Sequence, residues 1–181
     1  MSPDDPELVE QRGIGVHDRF QRLWTPHRLA YIKSAEADGS CPFCDIPALA
    51  DGDGLIVARG VTVYAVLNLH PYNPGHLMVV PFRHVAELED LTADEAAELM
   101  AFTQRAIMAM KLASAPHAFN VGLNLGAVAG GSLAAHLHQH VVPRWGGDAN
   151  FIAVVGMTKV IPQLLAEARD QLAEAWSSLD G

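Results

Sequence analysis

Positive charge is scarce in this chain: 12 Lys and Arg stand against 21 Asp and Glu, giving a formal net charge of −9 and a pI near 5.3. No run of Lys or Arg exceeds a pair. Without a basic stripe there is little to neutralise a phosphate backbone, which argues against a nucleic-acid binder. An anionic ligand would need backbone amides or a few placed cations. Long apolar runs are also missing, and no stretch approaches membrane-spanning length. The first ten residues hold four acids and no base, unlike a secretory leader. These absences predict a cytoplasmic protein with neither nucleic acid nor membrane as partner. Cysteine is reduced to Cys41 and Cys44 in a Cys-x-x-Cys pair. In a reducing compartment such a pair is a metal half-site, a redox dithiol or two unligated buried thiols, more than a disulfide. Internal repeats are absent by inspection. What is present, 181 residues of which 50% are hydrophobic and 18% charged, suffices for one domain with a sizeable core.

Residues 1–40 are polar around one apolar patch, Leu23-Trp24-Thr25-Pro26, and read as an extension that packs on the domain or on a partner subunit; the domain proper is expected over 41–181. Leu55–Val57 and Val61–Leu69 flank Arg59-Gly60, and Leu77–Pro81 follows the turn His70-Pro71-Tyr72-Asn73-Pro74-Gly75, which predicts an antiparallel meander. Thr92-x-x-Glu95 is a capping-box signal, after which Leu99, Phe102, Ala106, Met110 and Ala113 keep helical spacing until Pro116. Phe119–Leu125 alternates as a strand, 126–131 reads as a loop, and Leu133–Val142 as a strand ended by Pro143. Pro162–Trp176 predicts a C-terminal helix with Leu164, Leu165, Ala168 and Leu172 on one side. Strands separated by single helices and hairpin-length links favour an α+β fold with an antiparallel sheet over a doubly wound one.

In the predicted strand 133–142, His136, His138 and His140 alternate with Leu137 and Gln139, and a period of two sends all three rings to one face. A core face would favour Val or Ile, and a solvent face would mix Lys, Glu and Thr. A row of imidazoles instead serves metal ligation, or nucleophilic and acid–base work near the ordinary imidazole pKa of roughly 6.5. Gly130-Gly131-Ser132 precedes the row, where missing side chains let main-chain amides approach a phosphate; a glycine pair alone is more often just a turn. After the row, Arg144 and Trp145 open a glycine loop, able to grip a distal phosphate or base, or simply anchored by a buried Trp; Trp24 and Phe151 are interface or core candidates. Arg83, Arg144 and Lys159 are the cations to test as phosphate contacts, although isolated surface cations are usually just solvated.

His136-Leu137-His138-Gln139-His140-Val141-Val142 resembles the signature of the histidine triad family. Asn68-Leu69-His70-Pro71-Tyr72-Asn73-Pro74-Gly75-His76 is similar to its ribose-side segment, and 120–144 to its strand, phosphate loop and triad strand in order. The one departure, Gln139 at a usually apolar place, lies on the side away from the histidines. The resemblance implies a half-barrel antiparallel sheet with one main helix, and His138 as a nucleophile forming a nucleotidyl-histidine. His140 would lie near the leaving oxygen and His76 would support the triad. Asn68 would contact the ribose, while Asn124, Gly131 and Ser132 would hold the α-phosphate; Arg144 stays a substrate-contact candidate from its own place after the row. It also implies a structural Zn2+ held by Cys41, Cys44, His84 and His136, and a homodimer or homotetramer. With Leu23-Trp24-Thr25-Pro26 and Arg144-Trp145-Gly146-Gly147-Asp148, the chain resembles the family's short bacterial diadenosine tetraphosphate phosphorylases. That branch implies inorganic phosphate as second substrate; a divalent ion such as Mg2+ screening the nucleotide's phosphates is an option that the sequence leaves open. Hydrolysis of a dinucleoside polyphosphate or nucleoside phosphoramidate is the neighbouring alternative, and a non-catalytic nucleotide-binding module the alternative of another class.

Overall fold

The structure, a computed structural model, describes residues 41–129, 133–148 and 161–180; the predicted 1–40 extension, Gly131, Ser132, Phe151 and Lys159 lie outside the described residues. A short helix α1 (Pro42–Asp45) leads to strands β1 (Ile56–Arg59), β2 (Val63–Leu67) and β3 (Leu77–Pro81). The long helix α2 (Ala93–Ser114), strands β4 (Ala118–Leu123) and β5 (Gln139–Arg144), and helix α3 (Leu165–Ser177) follow. The strands form one antiparallel sheet in the order β1-β2-β3-β5-β4, so the α+β reading stands.

Strand alternation sorts the core into two layers. Val63, Ala65 and Leu67 of β2, Leu77 and Val79 of β3, and Val141 of β5 meet Leu99, Phe102, Ala106 and Met110 of α2 and Leu172 and Trp176 of α3. The opposite parity, Tyr64, Val66, Met78 and Val80, packs with Ile56 and Phe43 on the other face. Both faces being covered, β2 and β3 are buried along their whole length and read as continuous apolar runs. The register pairs Met78 with His140 and Leu77 with Val141, which puts His140 on the Phe43 side and away from the helices.

The capping box forms at α2. Thr92 Oγ1 accepts from the Glu95 amide at 3.2 Å and Glu95 Oε2 accepts from the Thr92 amide at 2.8 Å. Glu95 also binds Arg83 through two hydrogen bonds, which with the Thr92 amide hold its carboxyl at a pKa of about 2. Arg83 is thereby a clamp on the start of α2. The helix ends where Ala115 turns left-handed at φ 44°, just before Pro116.

Several predicted boundaries shift, with β1, β2 and β4 each displaced by one or two residues at their ends. The last strand begins at Gln139, not Leu133, because the Leu137 amide is captured by the Val85 carbonyl at 2.6 Å and the His136 amide closes a turn on Leu133. It runs on through Pro143 to Arg144, because pairing with β3 stops at Val141 and a missing N–H there breaks no bond; the Pro143 carbonyl accepts from Asn73 Nδ2 at 2.8 Å. Leu164 precedes α3 at the cap position and is 69% exposed, outside the apolar side expected for it.

Candidate active site and metal centre

The three histidines of the row lie close together but are wired differently. His138 Nδ1 sits 2.8 Å from the His136 carbonyl, which can only accept, so that nitrogen carries the proton and Nε2 keeps its lone pair. On one side the ring meets His140 edge-on at 4.9 Å, and on another Phe43 at 4.9 Å. Burial lowers its pKa, against a weaker upward pull from the His136 carbonyl, and the neutral ring dominates at pH 7.

A relay fixes the tautomer of His140. The Tyr72 amide donates to His76 Nδ1 at 3.1 Å, so His76 carries its proton on Nε2 and donates it to His140 Nδ1 at 3.0 Å. His140 is left with its proton on Nε2, 3.5 Å from Asn124 Nδ2; this tautomer requires the Asn124 carboxamide to be turned over so that its oxygen accepts. Burial, and secondarily His138, push its pKa down to about 4, so it stays a neutral N–H donor. Asn68 turns its carboxamide toward His76 Nδ1 at 3.4 Å while its oxygen accepts from the His70 amide at 2.9 Å. A cleft of about 470 Å3 opens beside His140, walled by Tyr72, Asn120, Gly122, Asn124 and Arg144.

Arg144 reaches this wall already engaged. Its Nε and Nη2 bind Asp148 at 2.6 and 3.0 Å and Nη1 binds Asn120 at 2.8 Å, occupying three of its five donors. Asp148 also accepts from Asn73 Nδ2 at 2.7 Å, and with Arg144 foremost these partners hold its carboxyl far below the usual range. Trp145 donates from Nε1 to the Ser114 carbonyl, and the Gly146 amide donates to His117 Nδ1. The described part of the loop after β5 is therefore held by hydrogen bonds, with Trp145 half-buried and not the buried anchor of the second reading.

His136 turns the other way. Its Nε2 sits 2.9 Å from the Pro81 carbonyl, which leaves the Nδ1 lone pair facing Cys41 Sγ at 3.3 Å and Cys44 Sγ at 3.5 Å. His84 Nδ1 lies 3.3 Å from Cys44 Sγ, and the four ligand atoms all lie within 4.8 Å of one another. The sulfur–nitrogen edge of a tetrahedral zinc site is about 3.6 Å from ordinary bond lengths, close to these separations. Burial, then the neighbouring Cys41, raises the Cys44 thiol; a cation between the two sulfurs would reverse that.

Two contributors escaped the sequence reading. Tyr72 sets the relay through its amide and lays its ring over His76 at 4.7 Å; Phe43, between the two cysteines, touches both His136 and His138. In the sequence Tyr72 was only a letter of the His70–Gly75 turn, and Phe43 only an unnamed position of the Cys-x-x-Cys pair.

The HIT domain family model matches residues 53–147, which takes in all five strands. The chain is 63% identical to the AP-4-A phosphorylase of Mycobacterium tuberculosis, over 96% of this chain and 93% of that one. It is 34% identical to the asymmetrical bis(5'-nucleosyl)-tetraphosphatase of Schizosaccharomyces pombe, over 46% of each. The crystal structure of a zinc-bound histidine triad family protein from Mycobacterium smegmatis superposes with a TM-score of 0.64 at 26% identity, covering 78% of this chain and 96% of that one. Triad, sheet and sequence agree, and the chain belongs to the HIT domain family.

Proposed function

We propose that this protein phosphorolyses diadenosine tetraphosphate to ATP and ADP through an adenylyl intermediate on His138. The observation that carries the reading is the 63% identity to an AP-4-A phosphorylase over nearly the whole of both chains, with the triad intact. His138 Nε2, its lone pair free, attacks the α-phosphorus; an N–P bond forms as the bond to the bridging oxygen breaks, and ATP leaves. The His140 Nε2 proton stands where that oxygen's charge develops, and the relay from Tyr72 through His76 keeps it there. Inorganic phosphate then attacks the same phosphorus, the N–P bond breaks to restore His138, and ADP is released.

Asn68 serves the ribose, and Asn124, Gly131 and Ser132 the α-phosphate. Arg144 offers its two remaining N–H groups to the polyphosphate along the cleft wall. Cys41, Cys44, His84 and His136 hold a zinc ion, which when bound supplies a structural cross-link between α1 and the segments before and after α2. The edge strand β4, with Val121 46% exposed, and the α2 residues Met100, Met108 and Leu112 support self-association.

Incubation with diadenosine tetraphosphate, with and without inorganic phosphate, tests the reaction. ATP plus ADP formed only with phosphate is expected. Phosphate-independent AMP plus ATP would favour a hydrolase, the reading suggested by the match to the fission yeast tetraphosphatase.

A further inference from the structure

Phe43 has no place in the chemistry above, yet it is the residue that touches both halves of the site. It lies on α1 between the two cysteines and is 4% exposed. Its ring centroid is 5.6 Å from that of His136, edge-on, and 4.9 Å from that of His138 at an interplanar angle of 43°. Its carbonyl accepts a hydrogen bond from the Tyr64 hydroxyl at 2.7 Å, which ties α1 to β2. Ile56, Tyr64, Val66, Met78 and Val80 close around the ring.

The hydrogen bond from His138 Nδ1 fixes which nitrogen is bare, but one bond at the near side of an imidazole leaves the plane free to rock about it. The plane is set by what lies against the ring faces and edges. Among the described residues the aromatic rings that meet His138 are those of His140 and Phe43. His140 is two residues away on the same stretch of chain and moves with it. Phe43 comes from a separate segment, whose place depends on the two cysteines flanking it.

We propose that Phe43 is a positioning residue for His138, pressed against the imidazole by the Cys41–Cys44 turn so that the metal-type cluster governs the orientation of the nucleophile from outside the reaction. The proposal rests on the reading of His138 as nucleophile. A rocking imidazole displaces Nε2 by a sizeable fraction of an ångström, and a misplacement of 1 Å costs roughly 10²-fold in rate.

The test compares Phe43→Leu, which keeps apolar bulk and loses the flat ring, with Ile56→Val, which loosens the same cluster without touching His138. For Phe43→Leu the single-turnover rate of adenylyl transfer to His138 should fall about tenfold or more. KM should stay within about twofold, and bound metal should equal that of the wild type. Ile56→Val should keep the wild-type rate. NMR relaxation of the labelled histidine rings gives a readout free of turnover: the His138 ring should be rigid in the wild type and mobile in Phe43→Leu, with the Nδ1-protonated tautomer kept in both. An unchanged rate and ring order in folded, metal-loaded Phe43→Leu, or an equal loss in Ile56→Val, would overturn the proposal. A wild type without any turnover would overturn the reading of His138 as nucleophile, while the ring-order comparison would still decide whether Phe43 orients the ring.

Discussion

His136 and His138 are two residues apart, both buried, both with one nitrogen tied to a backbone carbonyl, and they face opposite tasks. In His136 the Pro81 carbonyl takes Nε2 and leaves Nδ1 for the sulfurs; in His138 the His136 carbonyl takes Nδ1 and leaves the lone pair on Nε2. The residue type supplies a lone pair. The carbonyl that each ring meets decides where the lone pair points, and that is a property of the fold.

The contrast breaks most sharply at His138. His138→Ala should lower kcat by about 10³-fold or more, with nucleotide still bound and the melting temperature nearly kept, since within the triad His140 Nδ1 is engaged by His76 and His136 Nδ1 faces the cysteines. Calorimetric titration with a non-hydrolysable analogue beside the rate assay checks both halves. Under the proposed mechanism His140→Ala removes a proton donor and not the nucleophile, so a loss of about 10²-fold is expected, at the lower end of acid–base contributions. Its signature is a larger penalty for substrates with poor leaving groups.

At the other end of the row the effect should move from rate to stability. Cys44→Ser should abolish zinc retention through dialysis and lower the melting temperature, with a smaller loss of kcat than His138→Ala. Metal analysis and a melting curve on the same sample decide it; a zinc-free wild type with an unchanged melt would remove the metal centre from the account.

The smallest effect is on pH dependence. His140 has a folded pKa of about 4 against roughly 6.5 in an unfolded chain, so between those values the unfolded state binds more protons. Its contribution to stability is fully present above about pH 6.5 and is lost as pH falls toward 4. In metal-free protein, melting temperatures over that range should fall less steeply for His140→Gln than for the wild type.

Much of the frame was legible because it rests on local rules. The Thr92-x-x-Glu95 cap, the helix to Ser114 and the turn at His70–Gly75 follow from neighbours in sequence. Gln139 was placed on the face away from the histidines by alternation alone, and there its amide donates to Thr103 Oγ1 of α2 at 2.6 Å. The start of β5 was not legible, because it depends on Val85, which takes the Leu137 amide from more than fifty positions away. Nor was the partnering of Arg144, since an arginine four residues before an aspartate reads the same whether the pair closes or faces a ligand. The cluster Cys41, Cys44, His84 and His136 was assembled from family resemblance; what the structure adds is the Pro81 carbonyl that turns His136 toward it.

The most direct test of the account is intact-mass spectrometry of the protein quenched in alkali after mixing with diadenosine tetraphosphate in the absence of inorganic phosphate, conditions under which a phosphoramidate bond to histidine survives. The wild type should gain the mass of one adenylyl group, mapped to the peptide containing His138, and lose it on addition of phosphate with formation of ADP. Turnover with no adduct at any time, or an adduct retained by His138→Ala, would contradict the assignment of His138 as the nucleophile.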